Sequence, residues 1–216
     1  MAGVSSLLPD VAGDTPVWLS LAATAVGALE GALLARNHEK NLDIAGVVAI
    51  ALCLGFGGGV IRDVLIGNTP PEALRQWQYI AIVIAAVLLT LLFGHLVGRL
   101  KYTLFVLDAL TMGLFAAVGA QYAIDFHLPE ITAVFVGSLA SVAGGIAAAL
   151  LLGETPRVLR PGPPYAIATV IGSIAFVLLD GINGGLASFA CIAIVFAIRV
   201  AAERWGLRTT PVAPID

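Results

Sequence analysis

The chain has 216 residues, of which 59% are hydrophobic and 12% charged, with a net charge of −3 and a mean hydropathy of +0.99. A soluble domain carries roughly 25% charged residues, so the composition excludes a soluble fold and leaves no room for a separate catalytic domain. A pI of about 5.5 and the lack of any basic run to neutralise phosphates also exclude a nucleic-acid partner.

Residues 1–16, "MAGVSSLLPDVAGDTP", lack the basic start and long apolar core of a cleaved leader and are expected to form a short exposed tail. Seven apolar runs follow, each about the length that crosses a hydrocarbon core. They are Val17 to Arg36, Ile44 to Ile66, Tyr79 to Val97, Thr103 to Ile124, Ile131 to Leu152, Tyr165 to Leu179 and Leu186 to Ala202. The last two are separated by "DGINGG", whose Asp, Asn and glycines predict a turn and not a break within one passage. The two cysteines, Cys53 and Cys191, lie inside apolar runs and read as small apolar residues.

Lys and Arg accumulate on the cytoplasmic side of short loops. Seven spans put nine of the eleven on one side: Arg36, Lys40, Arg99, Lys101, Arg157, Arg160, Arg199, Arg204 and Arg208. Only Arg62 and Arg75 fall on the other side. The expected orientation therefore has the N-terminus outside and the C-terminus in the cytoplasm.

The chain also resembles itself. "GGGVIRDVLIGNTP" (Gly57 to Pro70) aligns with "AGGIAAALLLGETP" (Ala143 to Pro156) at an offset of 86, with six of fourteen positions identical, and "GALLA" from Gly31 resembles "GAQYA" from Gly119. The reading is a duplicated three-span unit, about 17–99 and about 103–182, with a seventh helix at about 186–203. Because three is odd, the second copy enters the membrane from the opposite side, an inverted repeat of the kind many transport proteins use.

Isolated glycines such as Gly27, Gly31 and Gly113 are ordinary devices for close helix packing. The consecutive glycines Gly57, Gly58 and Gly59, and Gly144 with Gly145, are instead expected to interrupt the second and fifth helices. Glycine weakens a helix by about 0.8–1 kcal/mol relative to alanine, and unwound carbonyls at membrane depth are tolerated where they line a wet cavity. Such carbonyls are good cation ligands.

Arg62 and Asp63 follow the first glycine run and read either as pathway residues or as boundary residues snorkelling to the interface. Neighbouring helical residues point about 100° apart, so each is expected to find a partner other than the other. Asp63 would attract a cation near the mouth with Arg62 as its balance, or the two would lock the helix to a neighbouring span. The second copy has Ala148 and Ala149 in their place. Ser138 and Ser141 flank the second glycine run and would bond to the backbone one turn earlier or to a passing ion. Glu30 is expected to face protein or water, and Asp108 to reach the cytoplasmic interface. His38, His95 and His127 have no spacing for a metal or a nucleophile, and no phosphate-binding loop exists, so no enzyme and no cofactor are expected.

The stretches from Ala28 to Pro70 and from Leu107 to Arg160, with "GFGGGVIRD" and its recurrence "VAGGIAAALLLGETP", resemble the prokaryotic TRIC channels, the trimeric intracellular cation channel family. The resemblance covers both repeats. It implies an all-α membrane protein of seven helices in two inverted repeats, assembled as a homotrimer. It further implies one potassium-permeable pore per protomer between the glycine-kinked second and fifth helices, with membrane lipids around it. On position, Gly57, Gly58 and Gly59 would form one kink, Gly144 and Gly145 the other, and Arg62 and Asp63 the charged pair after the first. The family often repeats Arg-Asp after the second run, and this chain does not.

The function expected is thus a potassium-conducting cation channel. A secondary transporter for a small solute such as glycine would use the same architecture, and a membrane scaffold is the non-transport reading.

Overall fold

The computed structural model describes residues 17–96 and 100–210. The described residues form helices α1 (Val17–Arg36), α2 (Ile44–Ile66), α3 (Glu72–Arg75), α4 (Trp77–Phe93), α5 (Leu100–Asp125), α6 (Glu130–Leu152), α7 (Tyr165–Asp180) and α8 (Gly184–Trp205), with no strand among them. Six segments are long and apolar enough to cross a membrane, and α7, with 16 residues, is a shorter apolar helix. The seven expected spans are present, with α1 and α2 at the boundaries read from sequence. The one-turn α3 lies in the connection expected between the second and third spans. The expected N-terminal tail and Val97 lie outside the described residues.

The solvent of this fold is hydrocarbon, as its radial distribution of side chains shows. Ile80, Ile84, Leu88 and Leu92, four residues apart along one face of α4, are all exposed, as are Ile131, Phe135 and Leu178. Glu30, Arg62, Asp63, Asp108 and Arg199 are all buried. Water would not leave that many large apolar groups outside while charges sit inside.

Helix ends follow local chemistry. Asp43 Oδ1 accepts the Gly46 amide at 2.8 Å to start α2. Asn183 Oδ1 accepts the Leu186 amide at 2.9 Å to start α8, so "DGINGG" is the turn expected of it. The matched glycines Gly67 and Gly153 both stop their helices in the left-handed region, at φ 76° and 69°. The residue after each closes the same bond, Asn68 to the Asp63 carbonyl and Glu154 to the Ala149 carbonyl, both at 2.8 Å.

The expected interruption at the glycine runs is not what the structure contains. Helical backbone continues through Gly57–Gly59 in α2 and through Gly144 and Gly145 in α6. Three of the five glycines serve close approach instead. A Cβ on Gly57 would lie 2.7 Å from the Gly144 Cα, one on Gly58 2.5 Å from the Ala140 carbonyl, and one on Gly144 2.8 Å from the Cys53 carbonyl. Continuous helices keep every peptide group satisfied away from water, and the missing side chains let two such helices touch along their backbones. Gly31 of α1 against Ala51, and Gly119 of α5 against Gly137, repeat the device in the two copies. Gly59 and Gly145 differ, because a Cβ there would meet nothing within 4 Å.

The two kinds of glycine should respond oppositely to alanine. Gly57→Ala is expected to lower the thermal unfolding midpoint in detergent by several degrees. Gly59→Ala and Gly145→Ala should leave it unchanged or raise it, since each gains about 0.8–1 kcal/mol of helix propensity without a clash. A Gly57→Ala protein as stable as the parent would refute the contact.

Candidate functional site

Two polar clusters lie toward opposite ends of the bundle, with a cavity beside each. The first is built on the last turns of α2. Arg62 and Asp63 are buried, Asp63 completely at 0% exposure. Contrary to the expectation that each would pair elsewhere, the Arg62 side chain folds back onto its neighbour: Nε and Nη2 both stand 2.8 Å from Asp63 Oδ1. The long arginine stem spans the gap that separates adjacent helical positions. Its guanidinium lies 3.6 Å from the centroid of the Tyr122 ring and 3.3 Å from Glu72 Oε2.

Asp63 Oδ2 accepts the Glu72 amide at 2.7 Å, which fixes the start of α3, and the Asn68 side chain reaches Oδ1 at 3.4 Å. Glu72 in turn accepts the Tyr122 hydroxyl at Oε2 and the Gln76 amide at Oε1, the latter at 3.2 Å. Of the two roles open to the pair, the geometry fits the lock, because the oxygens of Asp63 are committed to protein donors. Glu72, Tyr122 and Gln76 were not singled out from the sequence; an acid directly after "TPP" was the available signal for Glu72.

The second cluster lies between α5, α7 and α8. Asp108 is buried among protein groups: Oδ2 takes Arg199 Nη2 at 2.6 Å, and Oδ1 accepts the Tyr165 hydroxyl. Arg157 Nη1 approaches Oδ1 at 3.5 Å from the loop after α6, with its side chain half exposed. Arg199, expected among the cytoplasmic-side charges, stands inside the protein. It is buried within the bundle, 4.0 Å above the Tyr165 ring and 5.5 Å from the Phe105 ring centroid. Outside the spans, His38 Nε2 meets Glu154 Oε1 at 3.0 Å and holds the Glu154 carboxyl below its usual range.

Beside the second cluster is a cavity of about 70 Å³, walled by Glu30, Thr111, Phe115, Ser141, Gly144 and Gly145 and, farther along α6, by Ala148 and Ala149. Beside the first is a smaller one of about 10 Å³, walled by Ser20, Thr24, Gly59, Arg62, Asp63, Tyr79 and Phe115. Phe115 thus belongs to both. Its ring is seated on Gly58, where an added Cβ would come within 2.8 Å of a ring carbon. Ser138 and Ser141 donate to the Val134 and Ser138 carbonyls at 2.7 and 2.6 Å, the backbone option of the two expected. Gly57, Gly58 and Gly144 lie at the helix contact, and Gly59 and Gly145 border the cavities. Among the described residues no group of His, Cys, Asp and Glu is arranged to hold a metal ion.

Removing the guanidinium would leave two buried carboxylates facing each other. Arg62→Ala is therefore expected to cost about 3–5 kcal/mol, read as a loss of folded protein in detergent or a large fall in the unfolding midpoint. Gln76→Ala, which removes one outlying hydrogen bond, should cost far less.

Comparison with known proteins gives a consistent picture. A family model described as "Glycine transporter" matches residues 17–95 and 105–181. The crystal structure of the TRIC trimeric intracellular cation channel orthologue from Rhodobacter sphaeroides superposes with a TM-score of 0.81 at 34% identity, covering 88% of this chain and 98% of that one. A UPF0126 membrane protein of Deinococcus radiodurans is 38% identical over 163 residues, 75% of each chain. The UPF0126 inner membrane protein YadS of Escherichia coli is 31% identical over 195 residues, 88% of this chain and 93% of its own. With spanning helices, glycine contacts and charged interior in the arrangement described above, the chain belongs to the prokaryotic TRIC family of multi-pass membrane proteins.

Proposed function

We propose that the protein is a cation channel with one pathway in each protomer, running along the contact of α2 and α6 and bounded by α1 and α5. The observation that carries this reading is the pair of cavities that share Phe115 as a wall. Polar side chains stand in both linings, and the larger cavity has room for water. A hydrophobic constriction such as the Phe115 ring closes a pore by dewetting. The likeness to the TRIC cation channel supports the same reading, and the trimeric state in that channel's name supports a homotrimer here.

In this reading potassium is the permeant ion, lipids surround the protomers, and the N-terminus is outside with the C-terminus cytoplasmic. The two matched segments of the family model support two repeats, about 17–99 and 103–182, inverted with respect to each other. Gly59 and Gly145 give the pathway room, Ser138 and Ser141 contribute oxygens, and the Arg62–Asp63 lock holds the far mouth. Gating is the withdrawal of the Phe115 ring from Gly58. The rival reading, a carrier for a small solute such as glycine, has the description of the family model in its favour.

Purified protein in planar bilayers under a potassium gradient separates the two. Unitary current steps reversing near the potassium potential are expected. A silent bilayer together with saturable glycine uptake into liposomes of the same preparation would move the assignment to a carrier. Phe115→Ala should raise open probability several-fold, and Gly58→Ala should change gating because the added methyl displaces the ring. Unaltered records from both variants would remove Phe115 as the barrier.

A further inference from the structure

The two repeats are unequal where their charges should match. Arg62 and Asp63 fill the space between α2 and α5 in the first copy. At the matching position the second copy has Ala148 and Ala149, and both border the cavity of about 70 Å³. A water needs about 10–15 Å³ measured in this way, so the space holds several.

What faces that space is a buried carboxyl with one oxygen unsatisfied. Glu30 is 3% exposed, and its Oε2 has no hydrogen-bond partner. Thr111, 5% exposed, also lines the cavity with its hydroxyl unpartnered. The Ser141 oxygen borders the same volume. Of the other charges nearby, Asp108 has both oxygens engaged, by Arg199 and by Tyr165. Arg157 reaches in from the loop with half its side chain exposed, 3.5 Å from Asp108 and in contact with Tyr165. Apart from Arg157, the cation in contact with this acidic pair is Arg199, on Asp108.

We propose that Glu30, with the hydroxyl oxygens of Thr111 and Ser141, forms a binding site for a partly hydrated monovalent cation in this cavity, and that Arg157 is the guanidinium that leaves when the cation enters. One free carboxylate and two neutral oxygens suit a monovalent ion. Calcium takes six to eight oxygens, commonly with several carboxylates among them. The proposal deepens the channel reading and rests on it: the cavity becomes a station on the pathway, and a resident arginine competes with the permeant ion.

The test uses the full chain. Single-channel conductance is measured over a series of potassium activities, and crystals soaked in thallium(I) are examined for anomalous density. The wild type should saturate, Glu30→Gln should raise the half-saturating potassium activity about tenfold, and Arg157→Gln should lower it about threefold, as expected for removing one charge at close range. Thallium should appear against Glu30 and vanish in Glu30→Gln. Arg157 lies on a loop, so its variant keeps the test decisive if Glu30→Gln does not fold. Unchanged half-saturation in the variants, or a cavity without thallium, overturns the site even where currents flow. A silent wild-type bilayer with thallium at Glu30 removes the channel reading and upholds the site.

Discussion

The contact between α2 and α6 rests on a side chain that is not there. Gly57 and Gly144 face each other so closely that a methyl on either would strike backbone, and Gly58 lets Phe115 lie flat beside the same contact. Lipid offers no hydrophobic reward for bringing helices together, so close packing and internal polar bonds must supply the attraction. The surrounding structure follows from that approach. α1 and α5 flank the pair through their own glycines, Gly31 and Gly119, and the cavities open where the two backbones part company at Gly59 and Gly145.

The polar groups inside the bundle divide the labour unequally. At one end an ion pair, an aromatic face and a one-turn helix are tied together, and Asp63 anchors the connection from α2 to α4 by accepting the amide that begins α3. At the other end Asp108, Arg199 and Tyr165 make a comparable knot, but its members come from α5, α8 and α7 and leave the end of α6 bare. The duplication has therefore diverged. α2 carries a charged pair on the helix that bears the glycines, and α6 has Ala148 and Ala149 at the matching positions.

How much of this could be read from residues alone follows from the range of the interactions. The spans were legible because hydrocarbon demands long uncharged runs, and the α7–α8 turn because Asn183 caps within its own segment. The matched stops at Gly67 and Gly153 were visible as identities in the repeat. The state of the glycine runs was not legible, since the absent Cβ that loosens a helix is the same absence that lets helices touch. Nor were the partners of Arg62: Tyr122 is sixty residues away, and an arginine long enough to fold back onto Asp63 defeats an argument from helical angles. Arg199 was assigned to the wrong environment because a count of charges near helix ends treats every basic residue as solvated.

The length of α7 carries a consequence for the membrane itself. Its 16 residues rise about 24 Å, against a hydrocarbon thickness of about 30 Å. Ile167, Val170, Ile171, Ile174 and Leu178 nevertheless present an apolar face outward along its length. Lipid meeting that face must thin to cover it, at a fraction of a kcal/mol for each ångström of mismatch. Thinner bilayers are expected to ease the mismatch on this flank, and thicker ones to deepen it.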